Sequence, residues 1–180
     1  AMFQLGRIYE EGQGINPDFS EAMKWYGLSA DQGNALAQFR LGVMYAEAKG
    51  VPQDEERAVE LYALAANQGH AEAQNNLGAM YNAGHGIRQD PRKAARWFRK
   101  GAAQGNAAAQ FNLGLMYQEG SGVAKNEAKA VKWYRVAAEQ GYPWAALALG
   151  LLRKTQESLK EAAKGLFNLH YSEEFRPLRE

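Results

Sequence analysis

The side chains with which this chain could do chemistry are few and widely spaced. Cysteine is absent, which excludes a thiolate nucleophile, a cysteine-bound metal and a disulfide framework. The three histidines are His70, His85 and His170. No His-Glu-x-x-His pair exists, and none of the three has a second histidine at helical spacing. His70 and His85 read as exposed turn residues. Gly12-Gln13-Gly14, Gly84-His85-Gly86 and Gly120-Ser121-Gly122 superficially suggest phosphate loops, but no strand pattern precedes them and no Gly-Lys-Ser/Thr follows. They recur at a fixed interval, which makes them turns. The run Asp54-Glu55-Glu56 stands where a helix begins, and negative charge there complements the helix dipole. No Ser-x-x-Lys pair is present. These residues imply a protein that is not an enzyme and needs no metal and no cofactor.

What remains is the chemistry of binding. Three rows of residues recur every 36 positions: Phe3, Phe39, Asn75, Phe111 and Leu147; Gln4, Arg40, Asn76, Asn112 and Ala148; Arg7, Val43, Ala79, Leu115 and Leu151. If the copies stack, each row becomes a line of neighbours roughly 8–10 Å apart. Aromatic rings offer contact area, and amides can pair with a peptide backbone in both directions. The candidate peptide-binding residues are Phe3, Arg7, Phe39, Arg40, Asn75, Asn76, Phe111 and Asn112, with Arg40 suited to a carboxylate. The competing reading has the rings packing between helices and the polar groups holding their neighbours. Both stand at this point.

A second candidate is electrostatic. The whole chain carries 21 basic and 20 acidic residues. Counted in blocks of 36, however, the first two blocks are each −3, the third is +5 and the last two are +1 each. The third block gathers Arg92, Lys93, Arg96, Arg99 and Lys100 in one stretch, with Arg92, Arg96 and Arg99 on one helical face. This is either a solvated face or a dock for an anionic partner. That partner includes the acidic half of another copy, which would give weak self-association. Nucleic acid is not expected, because no aromatic interleaving or groove-reading element accompanies the patch. No run of apolar residues approaches the length of a membrane span, so membrane insertion is not expected either.

The elements that position these residues follow from the repeat. Ala37-Gln38-Phe39-Arg40-Leu41-Gly42 has counterparts from Ala1, Ala73 and Ala109, and a weakened one from Ala145. Ala22-Trp25-Tyr26, Ala58-Leu61-Tyr62, Ala94-Trp97-Phe98 and Ala130-Trp133-Tyr134 keep the same period. Ala37, Leu41, Met44 and Tyr45 mark one helical stripe, and Ala58, Leu61, Tyr62, Ala65 and Ala66 another. Each repeat is therefore two amphipathic helices, A then B. The tryptophan row is expected in the core. Asp18, Asp54, Asp90 and Asn126 should cap the B helices, Asn34 and Asn106 the following A helices, and Pro143 suits a first helical turn. Gly14, Gly50, Gly86 and Gly122 are expected at the ends of the A helices. Gly6, Gly42, Gly78, Gly114 and Gly150 lie inside the A helices at ~1 kcal/mol each against alanine, which implies close helix contact.

The linked pattern Ala-x-x-x-Leu-Gly-x-x-Tyr, Gly-x-Gly-Val/Ile, Lys-Ala-x-x-Trp-Tyr and Ala-Ala-x-Gln-Gly resembles the Sel1-like repeat (SLR) family, an offshoot of tetratricopeptide-type hairpins. It is fullest from Ala109 to Gly141. Copy two departs from it at Ala48 and Leu61. The resemblance implies an all-α fold, a right-handed α-solenoid of stacked hairpins. Its repeats span 1–36, 37–72, 73–108 and 109–144, with a fifth starting at 145, so that the solenoid covers 1–150. A capping helix over 151–170 and a tail over 171–180 follow. The resemblance also implies A helices lining a concave groove, B helices outside, and a scaffold or adaptor role with a protein or peptide partner. A bacterial, exported or periplasmic setting is likewise implied by resemblance alone. Some cysteine-rich relatives are linked to binding and slow hydrolysis of β-lactams, which keeps a cell-wall-related activity as the rival reading, although this chain lacks their cysteines. A spacer within a larger protein is the third. The chain opens with Ala1-Met2 in the middle of a pattern, as a fragment or processed form would.

Overall fold

The structure, a computed structural model, describes the backbone of residues 1–174 and the side chains of residues 1–161. Among the described residues there are nine helices and no strand. The A helices are α1 (Met2–Glu11), α3 (Ala35–Ala46), α5 (Ala71–Ala83), α7 (Ala107–Glu119) and α9 (Pro143–Glu174). The B helices are α2 (Phe19–Asp31), α4 (Glu55–Asn67), α6 (Pro91–Ala103) and α8 (Glu127–Glu139). Each helix packs on its neighbours in the chain, and α5 also touches α7. The result is a helical solenoid whose buried side chains form three clusters along the stack, joined through the half-buried Tyr45 and Tyr81.

The capping residues do what their chemistry predicts. Asp18, Asp54, Asp90 and Asn126 accept a hydrogen bond from the backbone N–H three residues on, at 2.8–3.0 Å. Their own N–H groups donate to the carbonyls of Tyr9, Tyr45, Tyr81 and Tyr117, which pins each A–B turn. Asn34 and Asn106 cap α3 and α7. His70 does the same for α5, its Nδ1 accepting from Ala73 N–H at 3.2 Å. It is therefore not an exposed turn residue: its side chain is 12% exposed and stacks on Phe39 at 4.6 Å.

The A helices end two residues earlier than expected, at the first loop glycine. Gly12, Gly84 and Gly120 adopt the left-handed conformation there. In copy two this place falls to Ala48, the one non-glycine residue with positive φ among those described, at 55°. The second glycine serves packing between repeats instead. A Cβ on Gly122 would stand 2.1 Å from the Pro91 carbonyl oxygen at the start of the preceding B helix.

Inside the A helices the expected close contact is with an aromatic ring of the same hairpin. A Cβ on Gly6, Gly42, Gly78 or Gly114 would meet the ring of Tyr26, Tyr62, Phe98 or Tyr134 at 2.5–2.8 Å. These four rings, 3% exposed or less, are the centre of the core. The tryptophan row, expected there, sits one position away and is half-buried. An indole also brings an N–H, and Trp25 Nε1 is enclosed without an acceptor; Leu61 fills the same row at 4% exposure without that cost.

Buried glutamines hold successive repeats together. Gln38, Gln74 and Gln110 donate through Nε2 to the carbonyls of Ala30, Ala66 and Ala102 in the preceding B helix. Their Oε1 atoms accept from Gln68, Gln104 and Gln140 at the end of their own hairpin, each at 2.7 Å. Each amide thus bridges two B helices with its donor and acceptor both used.

The fifth A block and the segment expected as a cap form one uninterrupted helix, α9, which begins at Pro143 and continues through Tyr171 to Glu174. Residues 175–180 of the expected tail lie outside the described residues. Gly150 has nothing within 4 Å of where a Cβ would be, because no B helix follows α9 in the described residues.

Candidate functional site

The A-helix rows come together as the period requires, and contacts between repeats show it. Asn112 of α7 donates through Nδ2 to Asn75 Oδ1 of α5 at 2.9 Å. Asn75 Nδ2 in turn donates to Asn76 Oδ1 at 3.2 Å. Asn76 also lies at the buried Tyr62 hydroxyl: burial raises the Tyr62 pKa, and the Asn76 amide opposes that rise. A chain of amides therefore runs from repeat four into repeat three and meets Tyr62 of repeat two, with the amides half-buried.

The phenylalanine row has two roles in this arrangement. Phe3, Phe39 and Phe111 lie tilted on Tyr26, Tyr62 and Tyr134 of their own hairpins, with ring centroids 5.6, 5.9 and 5.5 Å apart. Phe111 also meets Tyr142 at 5.3 Å. Each ring stays half-buried, so one face packs and part of the ring remains accessible. In repeat three the row carries Asn75, and the facing B helix carries Phe98. The rings of Phe39 and Phe111 thus flank a position where the ring is replaced by an amide.

The two arginines of the expected site have internal partners. Arg7 makes two bonds to the Glu11 carboxylate, at 3.0 and 3.2 Å. Arg40 reaches back one repeat to Glu10, with Nη2 at 2.8 Å and Nε at 3.1 Å from the same oxygen. The Tyr26 hydroxyl donates to that oxygen at 2.6 Å. The Glu10 side chain is 10% exposed, so this cluster is largely desolvated. Burial drives the Tyr26 pKa far above its usual value, and the Glu10 carboxylate adds to the rise. Burial works against the Arg40 charge, but Tyr26 and Glu10 outweigh it and raise its pKa. Sequence reasoning missed Glu10, because its row reads Glu10, Ala46, Asn82 and Gln118 and carries no repeat signal.

On the B helices, Arg92, Lys93, Arg96, Arg99 and Lys100 are all exposed on α6. Lys93 lies over the Tyr81 ring at 5.2 Å and Lys100 over Trp97 at 4.1 Å. Arg99 Nη2 is 3.5 Å from the Tyr117 hydroxyl. Lys132 and Arg135 extend the patch onto α8, one repeat on from Arg96 and Arg99. The contrast with the first half of the chain is sharp. All five lysines and arginines of residues 1–72 are ion-paired. Among the described residues, none of the ten cations of residues 73–144 has a carboxylate within 4 Å.

Among the described residues no group of three or more His, Asp or Glu is placed to hold a metal ion. No described helix is long and apolar enough to cross a membrane.

An all-helical stack of hairpins with a varied A-helix face defines a repeat protein of the solenoid class. The chain belongs to the Sel1 repeat family, whose model matches residues 1–34, 35–70, 71–106 and 107–142. These segments open at or just before the first residue of each A helix. Among solved structures, it is similar to a protective antigen of uropathogenic Escherichia coli that displays an SLR fold: 40% identity over 84% of this chain and 32% of that one, TM-score 0.81. It is also similar to a Sel1 repeat protein from Oxalobacter formigenes: 33% identity over 82% of this chain and 59% of that one, TM-score 0.76. The chain thus spans about a third of the antigen's length and somewhat more than half of the Oxalobacter protein's. Helicobacter pylori cysteine rich protein B shares the fold, at 22% identity over 72% of this chain and 93% of that one, TM-score 0.58. No curated protein matches the chain significantly. Sel1 repeats mediate protein interactions.

Proposed function

We propose that this chain is a protein-interaction scaffold that holds an extended peptide, or a partner's tail, across the A helices of repeats two to four. The observation that carries the reading is the amide chain Asn112–Asn75–Asn76 between the half-buried rings of Phe39 and Phe111. Asn112 keeps its Oδ1 as an open acceptor, and each amide has a second N–H, so a peptide backbone finds both donors and acceptors there. The flanking rings supply apolar contact for side chains. Arg40 and Arg7, engaged by Glu10 and Glu11, frame this stretch rather than grip the ligand.

The test uses peptides selected from a random display library and titrated calorimetrically into the protein. Asn76→Ala with Asn112→Ala should weaken a groove-bound peptide by roughly 10-fold or more, since ~1.4 kcal/mol corresponds to a factor of ten. A second variant guards against a structural effect of those amides. Ala79 is exposed one turn beyond Asn76, so Ala79→Arg should block the face without disturbing the core. Unchanged affinity in both variants would move the site elsewhere. Turnover of a cell-wall substrate with no saturable peptide signal would favour the enzymatic rival.

A further inference from the structure

We infer that the B-helix face binds a second copy of this chain, α4 of one copy lying on α6 of the other, through charges that the fold leaves uncompensated. The inference is separate from the peptide reading, because it uses the B helices and leaves the A-helix face open. Residues 1–72 hold five basic and eleven acidic side chains, and residues 73–144 hold ten basic and four acidic. The two halves therefore carry −6 and +6. In the acidic half every lysine and arginine already has a carboxylate; in the basic half, among the described residues, none has. The surface that complements each half is thus the other half, and the fold keeps them apart within one copy.

The register makes the match specific. α4 and α6 are the same helix one repeat apart, residue 55 corresponding to 91 and 67 to 103. Glu56 and Glu60 occupy the exposed positions that Arg92 and Arg96 occupy in α6. Two copies placed face to face about a two-fold axis parallel to these helices bring α4 over the partner's α6 and α6 over the partner's α4. Such an axis leaves height along the helix unchanged, so positions one repeat apart face each other. Glu56 then meets Arg92 and Glu60 meets Arg96, each twice, which is the isologous contact of a closed dimer. Leu64, 52% exposed, comes opposite Lys100, whose ammonium already lies over Trp97, so the lysine stem offers apolar cover. Lys93 is turned onto Tyr81 and out of the way of Arg57. The internal Arg57–Glu60 pair is more than half exposed on both sides and competes weakly. A two-fold axis across the helices would instead set α4 on α4 and α6 on α6, opposing like charges.

The experiment is sedimentation equilibrium of the whole chain at tens of micromolar, read against salt, with two charge-reversal variants. The wild type should be dimeric at low salt and monomeric near about 1 M, where the Debye length falls to about 3 Å. Arg92→Glu with Arg96→Glu should be monomeric throughout, and so should Glu56→Arg with Glu60→Arg. Mixing the two variants in equal amounts should restore a dimer, because all four contacts are again of opposite charge. The four residues lie on the surface, so far-ultraviolet circular dichroism should be unchanged in both variants. A wild type that is monomeric at low salt overturns the inference, as does a mixture that stays monomeric or self-association that ignores the variants. Monomeric wild type sedimenting with phosphatidylglycerol vesicles would overturn it in favour of a membrane as the anionic partner.

Discussion

Gly114 and Gly150 occupy the same motif position one repeat apart, and replacing each with alanine should move stability in opposite directions. Both lie inside A helices, where alanine is favoured over glycine by ~1 kcal/mol. At Gly150 nothing lies within 4 Å of the added Cβ, so the propensity gain should appear nearly whole, about 0.5–1 kcal/mol. At Gly114 the Cβ would stand 2.6 Å from Tyr134 Cε1 and 2.7 Å from Cδ1. Carbon atoms settle at about 3.5–4.0 Å, so the ring must retreat by roughly 1 Å. It has little freedom to do so. Tyr134 is 0% exposed and its hydroxyl is held by Gln118 Oε1 at 2.6 Å. Overpacking of this kind costs ~1–3 kcal/mol, and breaking the hydroxyl contact adds ~1 kcal/mol. Set against the propensity gain, Gly114→Ala should destabilise by ~1–2 kcal/mol. Urea unfolding followed by far-ultraviolet circular dichroism measures both, with the slope checked for constancy because repeat arrays need not unfold in one step. A Gly114→Ala midpoint at or above wild type would refute the claim that the glycine row exists to admit the aromatic ring.

Two further outcomes are expected. Ala48→Gly should stabilise the protein by about 0.5–1 kcal/mol, because Ala48 holds φ at 55° where glycine fits without strain, and the added flexibility of the unfolded chain offsets only part of that gain; a lowered urea midpoint would refute it. Burial, with the Glu119 charge as a lesser cause, pushes the Tyr134 pKa up to about 12 from the usual 10.0. The folded protein therefore keeps a proton that the unfolded chain releases, and stability should be full below pH 10 and fall between about pH 10 and 12. Tyr134→Phe should flatten that fall by on the order of 2 kcal/mol in pH-dependent unfolding, and an unchanged alkaline slope would refute it.

The architecture was legible in the sequence because a 36-residue period repeats every local signal several times. Asp18, Asp54, Asp90 and Asn126 could be read as caps from their short acceptors alone, and Asn34 and Asn106 likewise. His70 escaped that reading because an imidazole is a rare cap, and its acceptor nitrogen is decided by the neighbouring N–H rather than by residue type. Trp25 and Tyr26 could not be ranked by apolarity. The structure puts the tyrosine under the glycine of the facing helix, where a Cβ would collide with its ring. The exact ends of α1, α5 and α7 could not be placed because two glycines compete for each, and both have positive φ. The Glu10–Arg40–Tyr26 cluster was not legible at all, since it occurs in one copy and joins residues 16 and 30 positions apart.

Variation among the copies separates scaffold from surface. All copies solve the same packing problem, so a position that keeps its residue in every internal copy is one the stacking dictates. Gln38, Gln74 and Gln110 are of this kind, and they occur in the three copies that have a B helix on either side in the structure, where both ends of the amide are used. Positions that change from copy to copy are those where the stack accepts several residue types: Gln4, Arg40, Asn76 and Asn112 on the A helices, and Ser20, Glu56, Arg92 and Ala128 on the B helices. The A-helix row changes hydrogen-bonding chemistry, as a surface reading one peptide segment after another would. The exposed B-helix row changes charge, from acidic at Glu56 to basic at Arg92, which suits contact with a surface of the opposite order. A solenoid thus offers two faces that can diverge independently on one invariant frame. That independence is why loss of peptide binding in Ala79→Arg and loss of self-association in Arg92→Glu with Arg96→Glu should each leave the other property untouched.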